Sequence, residues 1–207
     1  MDLVCLDLEG VLVPEIWIAV AEKTGIGELR LTTRDISDYD ELMGRRLAIL
    51  EREGIALPDI QAVIDTLDPL PGASEFLAEL REKTQVVLLS DTFEQFASPL
   101  MRKLRRPTLF CNTLEVDDGG RIVGYRLRQH DGKRKAVEGF RAMGMRVFAA
   151  GDSYNDVSML KAAHRGMLFM APDSIRGEFP ELQAADDHRG LMAGVDAFLA
   201  ARPVAAG

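Results

Sequence analysis

Four short apolar runs, separated by helix-like patterns, most constrain how this chain can fold. They lie at 3–8, 85–90, 146–151 and 166–170. Runs of this length and composition are typical of strands buried on both faces of a sheet. Helical patterns at 72–83 and 133–143 precede the second and third runs. The alternation predicts an α/β fold built on a doubly wound parallel sheet.

Two segments interrupt this alternation. Between about 14 and 71 nothing resembles a buried strand, and the segment is predicted to be all-helical. One helical face there carries an apolar stripe formed by Tyr39, Leu42, Met43, Arg46, Leu47 and Leu50. Arg46 lies inside the stripe, whereas the adjacent Arg45 points about 100° away. The second segment, 113–128, alternates apolar and polar residues around Asp118-Gly119-Gly120, which predicts a hairpin.

We therefore expect two structural units. Residues 1–13 and 72–207 would form an α/β core, and 14–71 a helical insertion. The Ala/Pro/Gly tail after Arg202 is predicted to fray.

Charge and cysteine content restrict the partners and the compartment. The net charge of −8 and the lack of a basic stripe argue against nucleic acid as a partner. Cys5 and Cys111 have no metal-ligand spacing and are expected to be reduced thiols. No apolar stretch reaches the roughly 18 residues of a membrane span, and no leader pattern opens the chain. A cytoplasmic protein is expected, and the sequence does not indicate its oligomeric state.

Polar residues follow three of the predicted strands. The ends read Asp7-Leu8-Glu9-Gly10, Ser90-Asp91-Thr92 and Gly151-Asp152-Ser153-Tyr154-Asn155-Asp156. Because ligands of open parallel sheets bind outside the carboxyl ends of the strands, we expect these side chains to share one site.

The residue types at these strand ends indicate phosphoryl transfer. Asp7 and Glu9 project to the same side of an extended chain, so one can attack while the other moves a proton. A nearby Asp152 would repel both unless a cation lay between them, and Mg²⁺ prefers such hard oxygen ligands. Ser90, Thr92, the amides that follow them and Lys133 can meet a phosphate. Together they predict an aspartyl-phosphate at Asp7.

Each of these residues also has an ordinary structural explanation. The acids and Ser90 can cap helices or close turns, and Lys133 can be solvated. Several strand ends carry the required types in one chain, which favours the chemical interpretation. Arg134 and Lys135 lie beside Lys133. The phosphate-binding cation could therefore be another residue within one helical turn of Lys133.

The ordered set resembles the haloacid dehalogenase-like phosphatase superfamily over essentially the whole chain. Asp7-Leu8-Glu9-Gly10-Val11 is similar to its first motif, Ser90 to its second, Lys133 to its third and 151–156 to its fourth. The resemblance implies a Rossmann-type core with a small helical cap, 14–71, after the first strand. With Pro14-Glu15-Ile16-Trp17 and Leu89-Ser90-Asp91-Thr92-Phe93, the chain is most similar to the phosphoserine phosphatase/homoserine kinase type.

The resemblance implies a role for each matching residue. Asp7 would be the nucleophile and Glu9 the general acid and base. Mg²⁺ would be held by Asp7, the Glu9 carbonyl and Asp152, with Asp156 ordering its waters. The residues implied to bind substrate are Glu15, Arg46, Ser90, Asp91, Thr92, Lys133 and Asn155. Among them, Glu15 would meet the ammonium and Arg46 the carboxylate of phosphoserine.

Two of these assignments have ordinary structural alternatives, and two residue pairs differ from those of the commoner phosphoserine phosphatases. Arg46 can instead cover apolar surface, and Glu15 can be an acid of a first helical turn. Gly10-Val11 stands where those enzymes have Ser-Thr, and Asp91-Thr92 where they have glycines.

The expected function is hydrolysis of phosphoserine, with transfer of the phosphoryl group to homoserine as a second outcome. A phosphatase for another small metabolite is the nearest alternative. A receiver domain is disfavoured because it lacks a cap and places its Asp later in the chain. A non-catalytic phosphoamino-acid binder would have no need of both Asp7 and Glu9.

Overall fold

The sheet of this protein is continuous and almost entirely parallel. The computed structural model describes residues 1–32, 35–36 and 38–201, so the predicted fraying after Arg202 lies outside the described residues. Within them, seven strands form one sheet in the order β4-β3-β2-β1-β5-β6-β7. The strands are β1 (Asp2–Leu6), β2 (Gln85–Phe93), β3 (Thr108–Val116), β4 (Ile122–Arg126), β5 (Arg146–Gly151), β6 (Arg165–Phe169) and β7 (Gln183–Ala185). Only β4 is antiparallel, pairing with β3.

Helices cover both faces of the sheet. They are α1 (Ile16–Thr24), α2 (Tyr39–Glu53), α3 (Leu57–Asp65), α4 (Ala73–Lys83), α5 (Glu94–Lys103), α6 (Gly132–Ala142), α7 (Val157–Ala162), α8 (Asp173–Glu178) and α9 (His188–Ala200). One hydrophobic cluster joins the sheet to α1–α5 and α9, and a second joins it to α6, α7 and α8. The fold is therefore α/β and doubly wound, as predicted.

The central strand β1 shows why the sequence folds this way. All five of its residues are buried. Val4 and Leu6 belong to one hydrophobic cluster, and Leu3 and Cys5 to the other. Side chains of a strand alternate between the faces of a sheet, so an unbroken apolar run is what two covered faces require.

The helical insertion leaves and rejoins the core at one place. The backbone N–H of Leu70 donates a hydrogen bond to the Leu12 carbonyl at 2.9 Å. Between these residues lie α1, a short 3-10 helix (Gly27–Arg30), α2 and α3, with no strand among the described residues of 14–71. The division of the chain into a core and a cap stays a prediction.

Helix α2 carries the predicted apolar stripe. Leu42, Met43, Arg46 and Leu50 are buried, whereas Arg45 is exposed and pairs with Glu41. The helix begins after Asp38, whose carboxylate accepts from the Glu41 N–H, and it ends at Gly54 in the left-handed conformation.

The predicted elements are present in the structure, and two strand segments were not predicted. The hairpin at 113–128 is present as the end of β3 and β4. The first half of β3, which pairs in parallel with β2, was not predicted because Thr108–Val116 is only partly buried and carries no clean apolar run. The three-residue β7 is too short to leave a pattern. In the part of the chain that the structure describes, no helix is both long and apolar enough to cross a membrane.

Candidate active site

The carboxyl ends of β1, β2 and β5 meet at one edge of the sheet, where they open into a cavity of about 690 Å³. Ten residues predicted for the site line it: Asp7, Glu9, Glu15, Arg46, Ser90, Asp91, Thr92, Lys133, Asp152 and Asn155. Asp156, predicted to order the waters of the metal, is fully buried and bonded to the cavity-lining Lys133. The structure therefore brings every predicted site residue to one place.

Three carboxylates form the centre of the site. One oxygen each from Asp7, Asp152 and Asp156 lies within 4.8 Å of the others. Gly10 allows the loop after β1 to pass close to Asp152. Its φ is +75°, and a Cβ atom there would lie 2.4 Å from Asp152 Cγ. A larger residue at this position would displace Asp152 or the loop.

Asp156 fixes the turn that carries Asp152. One of its oxygens accepts hydrogen bonds from the backbone N–H groups of Asp152, at 3.0 Å, and Ser153, at 3.1 Å. Its other oxygen accepts from Lys133 Nζ at 2.8 Å. A Cβ atom on Gly151 would lie 2.3 Å from Asp156 Cγ, so glycine is also required where this turn folds back on β5.

Lys133 is the cation of the first turn of α6 that enters the site. Its Nζ lies 3.0 Å from Asp7 Oδ1 and 3.4 Å from Asp91 Oδ2. Burial lowers the pKa of Lys133, but the carboxylates of Asp156, Asp7 and Asp91 outweigh burial and hold that pKa well above its usual value. Arg134 instead pairs with Asp131 and Glu138 outside the cavity, and Lys135 does not line it.

The single positive charge of Lys133 does not offset the burial and mutual repulsion of the carboxylates in this cluster. Burial, together with Asp156, raises the pKa of Asp7 well above its usual range, although Lys133 opposes the rise. Burial and Asp156 also raise the pKa of Asp152 to about 7. Clustered carboxylate oxygens of this kind are hard ligands that suit a divalent cation, so the donor set fits a metal site.

Glu9 is poised to exchange a proton near neutral pH. Its Oε2 accepts a hydrogen bond from the Ile16 N–H at 2.8 Å, where α1 begins. Burial, with the nearby charge of Glu15, raises the pKa of Glu9 to about 7, although the Ile16 amide, the Thr92 hydroxyl and Lys133 act in the opposite direction. A carboxyl with such a pKa can serve as an acid and as a base in one reaction cycle.

Arg46 lines the cavity with a guanidinium whose donors are only partly satisfied. Its Nη2 donates to the Leu31 carbonyl at 2.8 Å, and its Cζ lies 4.4 Å from the Trp17 ring centroid. Among the described residues, no acceptor meets its buried Nε. Burial lowers the pKa of Arg46 to about 10, with Tyr39, Glu9 and Glu15 opposing the shift. A buried donor without a partner, beside a cavity, favours an anionic ligand.

Tyr39 and Trp17 hold parts of the site in place and were not predicted to belong to it. The Tyr39 hydroxyl donates to the Asp91 carbonyl at 3.2 Å and so joins α2 to β2. Trp17 forms the surface on which Arg46 lies. Tyr39 lies on the same predicted helical face as Arg46, two turns earlier. That shared face was the signal that could have placed Tyr39 in the site. For the Trp17 contact the sequence holds no comparable signal, because the two residues lie on different helices.

Comparison with known proteins places the chain in a family. The sequence model of the haloacid dehalogenase-like hydrolases matches residues 1–164, and the chain belongs to this family. The phosphoserine phosphatase ThrH of Pseudomonas aeruginosa is 59% identical over 191 residues, or 92% of this chain and 93% of that protein. A phosphoserine phosphatase of Pseudomonas syringae pv. tomato is 59% identical over 89% of this chain and 78% of its own length.

The fold also matches a solved structure. A phosphoserine phosphatase in its apo form superposes with a TM-score of 0.75, over 94% of this chain and 98% of that one. At 21% sequence identity, this likeness concerns the fold alone.

Proposed function

We propose that the protein is a Mg²⁺-dependent phosphoserine phosphatase that works through an aspartyl-phosphate at Asp7. One observation carries the proposal: a single cavity is lined by Asp7, Glu9 and Arg46, and the buried Nε of Arg46 has no partner among the residues that the structure describes. Nucleophile and proton carrier account for phosphoryl transfer, and the free donor of Arg46 accounts for a substrate that carries a carboxylate.

The first half of the reaction uses Asp7 and Glu9 together. A carboxylate oxygen of Asp7 attacks phosphorus, and the bond between phosphorus and the serine oxygen breaks. Glu9, whose pKa of about 7 leaves a large fraction of it protonated at neutral pH, delivers its proton to the departing serine oxygen.

The second half reverses the role of Glu9. Its carboxylate takes a proton from a water molecule, whose oxygen attacks the phosphorus of the aspartyl-phosphate. The bond between phosphorus and Asp7 breaks, phosphate leaves and Asp7 is regenerated. The cycle returns both carboxyl groups to their starting states.

The proposed metal ligands are Asp7, the Glu9 carbonyl and Asp152, with Asp156 holding the surrounding turn. Bound Mg²⁺ would neutralise phosphate oxygens and the crowded carboxylates. Ser90, Thr92, Lys133 and Asn155 line the same end of the cavity and are proposed to donate to the phosphoryl oxygens.

Substrate selection is assigned to the insertion 14–71, which we propose acts as a cap. Arg46 on α2 would bind the carboxylate of phosphoserine through its free Nε. Glu15, the residue preceding α1, would bind the ammonium group. The names of the relatives that match most of this chain, two phosphoserine phosphatases, support this substrate.

Homoserine is proposed as a second acceptor from the same intermediate. Glu9 can take a proton from any hydroxyl placed beside the aspartyl-phosphate, so the partition depends on which acceptor is positioned there. Homoserine carries the same carboxylate and ammonium groups that Arg46 and Glu15 would bind in serine.

The proposal is tested by measuring phosphate release from L-phosphoserine with Mg²⁺ and with EDTA, and by assaying O-phosphohomoserine when homoserine is added. Release that depends on Mg²⁺ is expected, and phosphohomoserine would establish the transfer. Turnover of other small phosphates without turnover of phosphoserine would retain the Asp7 chemistry and refute the assignments of Glu15 and Arg46.

A further inference from the structure

Asp91 places a carboxylate among the groups proposed to bind phosphate. Its Oδ2 accepts a hydrogen bond from Asn155 Nδ2 at 3.0 Å and lies 3.4 Å from Lys133 Nζ. Its side chain is 45% exposed, and Asp91 lines the cavity. An acid at this point is unexpected in an anion-binding site, because its charge repels the phosphate that the same donors would hold.

The backbone of Asp91 is anchored independently of its side chain. Its carbonyl accepts hydrogen bonds from the Tyr39 hydroxyl at 3.2 Å and from Asn112 Nδ2 at 2.9 Å. The half-exposed carboxylate can therefore rotate away while β2 and its contacts stay in place. Such a side chain is free to exchange its position with a ligand.

We propose that the Asp91 carboxylate is an internal placeholder for the phosphoryl group. It holds Lys133 and Asn155 while the site is free, and it leaves them when a phosphate oxygen takes its position. This inference rests on the proposed function, which assigns Lys133 and Asn155 to the phosphoryl group.

Competition from the Asp91 carboxylate lowers the affinity of inorganic phosphate and of every phosphate ester by the same factor, whichever group is esterified. Phosphoserine can offset the loss through contacts of its carboxylate and ammonium with Arg46 and Glu15, whereas inorganic phosphate has neither group. Asp91 thus keeps product phosphate from occupying the site without changing the ranking of two phosphate esters, since a uniform effect cancels in their ratio.

The experiment replaces Asp91 by Asn, which keeps the shape and removes the charge. Inorganic phosphate is titrated calorimetrically into the Mg²⁺-loaded protein, and the KM for phosphoserine is measured in parallel. We expect the Kd of phosphate and the KM each to fall by up to about fivefold, the upper limit for a partly exposed ion pair. Asp91→Ala serves as a second variant should Asp91→Asn fold poorly.

The matched control is Glu41→Gln, which removes one negative charge from the exposed surface of α2. Equal gains in affinity from this variant and Asp91→Asn would assign the effect to overall charge and overturn the proposal. An unchanged Kd for phosphate would also overturn it. A KM for phosphoserine that rises while phosphate binding stays constant would make Asp91 a ligand of the amino acid instead.

The phosphate titration also separates this inference from the proposed function. If the wild-type protein fails to turn over phosphoserine, the substrate assignment falls. A tighter Kd for phosphate in Asp91→Asn would still support the placeholder, because the titration measures binding alone.

Discussion

The guanidinium of Arg46 lies 4.4 Å above the ring of Trp17, and the carbonyl of Leu31 binds one of its ends. Contacts with α1 and with the residue that follows the 3-10 helix thus hold this α2 side chain beside the cavity. The orientation leaves Nε without a partner among the described residues. Such a buried donor gains most from an anion brought by the substrate.

Arg46→Ala is expected to raise the KM for phosphoserine about tenfold or more, because a charge-assisted hydrogen bond contributes about 1.5–3 kcal/mol. The KM for p-nitrophenyl phosphate, which has no carboxylate, should change little. Arg45→Ala is the matched control, since Arg45 is adjacent but exposed. Steady-state kinetics with both substrates check this, and equal losses on the two would remove Arg46 from substrate recognition.

Asp7→Asn is expected to lower turnover at least about a thousandfold, because a neutral amide is a poor nucleophile. The fold should persist, which circular dichroism can check. Rapid acid quenching after mixing with radiolabelled substrate should trap a phosphoprotein from the wild type and none from the variant. Phosphorylated Asp7→Asn protein would mean that another residue is the nucleophile.

Glu9→Gln should slow the hydrolysis of phosphoserine more than that of p-nitrophenyl phosphate, because a serine alkoxide needs a proton to leave and p-nitrophenolate does not. For phosphoserine the first step would then fall by about a hundredfold or more. Single-turnover measurements of leaving-group release check the difference. Identical slowing of the two substrates would exclude Glu9 as the acid of that step.

Mg²⁺ should raise the thermal stability of the protein more at pH 8 than at pH 5. The folded-state pKa values of Glu9 and Asp152 are raised to about 7. Their contribution to stability is therefore complete below the ordinary carboxyl pKa and is lost as pH rises through about 7. A bound cation offsets that loss and competes with protons for the carboxylates.

Calorimetric melting across this pH range, with EDTA and with Mg²⁺, checks the dependence. At a hundredfold excess of Mg²⁺ over its Kd the gain is about 2.7 kcal/mol. For a chain of this size that corresponds to a rise of about 5–11 °C in Tm. A gain that does not vary with pH would argue against Asp152 as a ligand.

Gly10→Ala should weaken Mg²⁺ binding, because its new Cβ would lie 2.4 Å from Asp152 Cγ. Gly25→Ala is a close control: Gly25 has φ +74° against +75° for Gly10, and no atom lies within 4 Å of its Cβ position. Both variants bear left-handed strain of about 1–2 kcal/mol. Only Gly10→Ala should raise the Mg²⁺ concentration needed for half-maximal activity, and an equal rise in both would contradict this account.

Much of the site was predictable because it follows from strand periodicity. Apolar runs that stop at acids or hydroxyls identify strand ends, and topology then brings Asp7, Ser90 and Asp152 to one edge. The helical period likewise separated buried Arg46 from exposed Arg45.

Other features depend on side-chain rotamers and on contacts between distant elements. Lys133 could be distinguished from Lys135 only after α6 was placed against the sheet, so that one lysine faced Asp7. The approach of Asp91 to Lys133 arises from the position of one carboxylate, which no spacing encodes. The first half of β3 gave no signal because its burial is incomplete.

The hydrogen bond between Leu70 and Leu12 closes the insertion at its base. The two ends of the segment therefore lie side by side, so the spacing of the strands beneath them does not depend on how much chain lies between Leu12 and Leu70. Since the entropy of closing a loop grows only about 0.6 kcal/mol with each doubling of its length, segments of very different size are tolerable there. If the proposed role of 14–71 holds, its helices can be exchanged to change the substrate while the strand ends that carry Asp7 and Asp152 stay in place, provided that the Ile16 amide still meets Glu9.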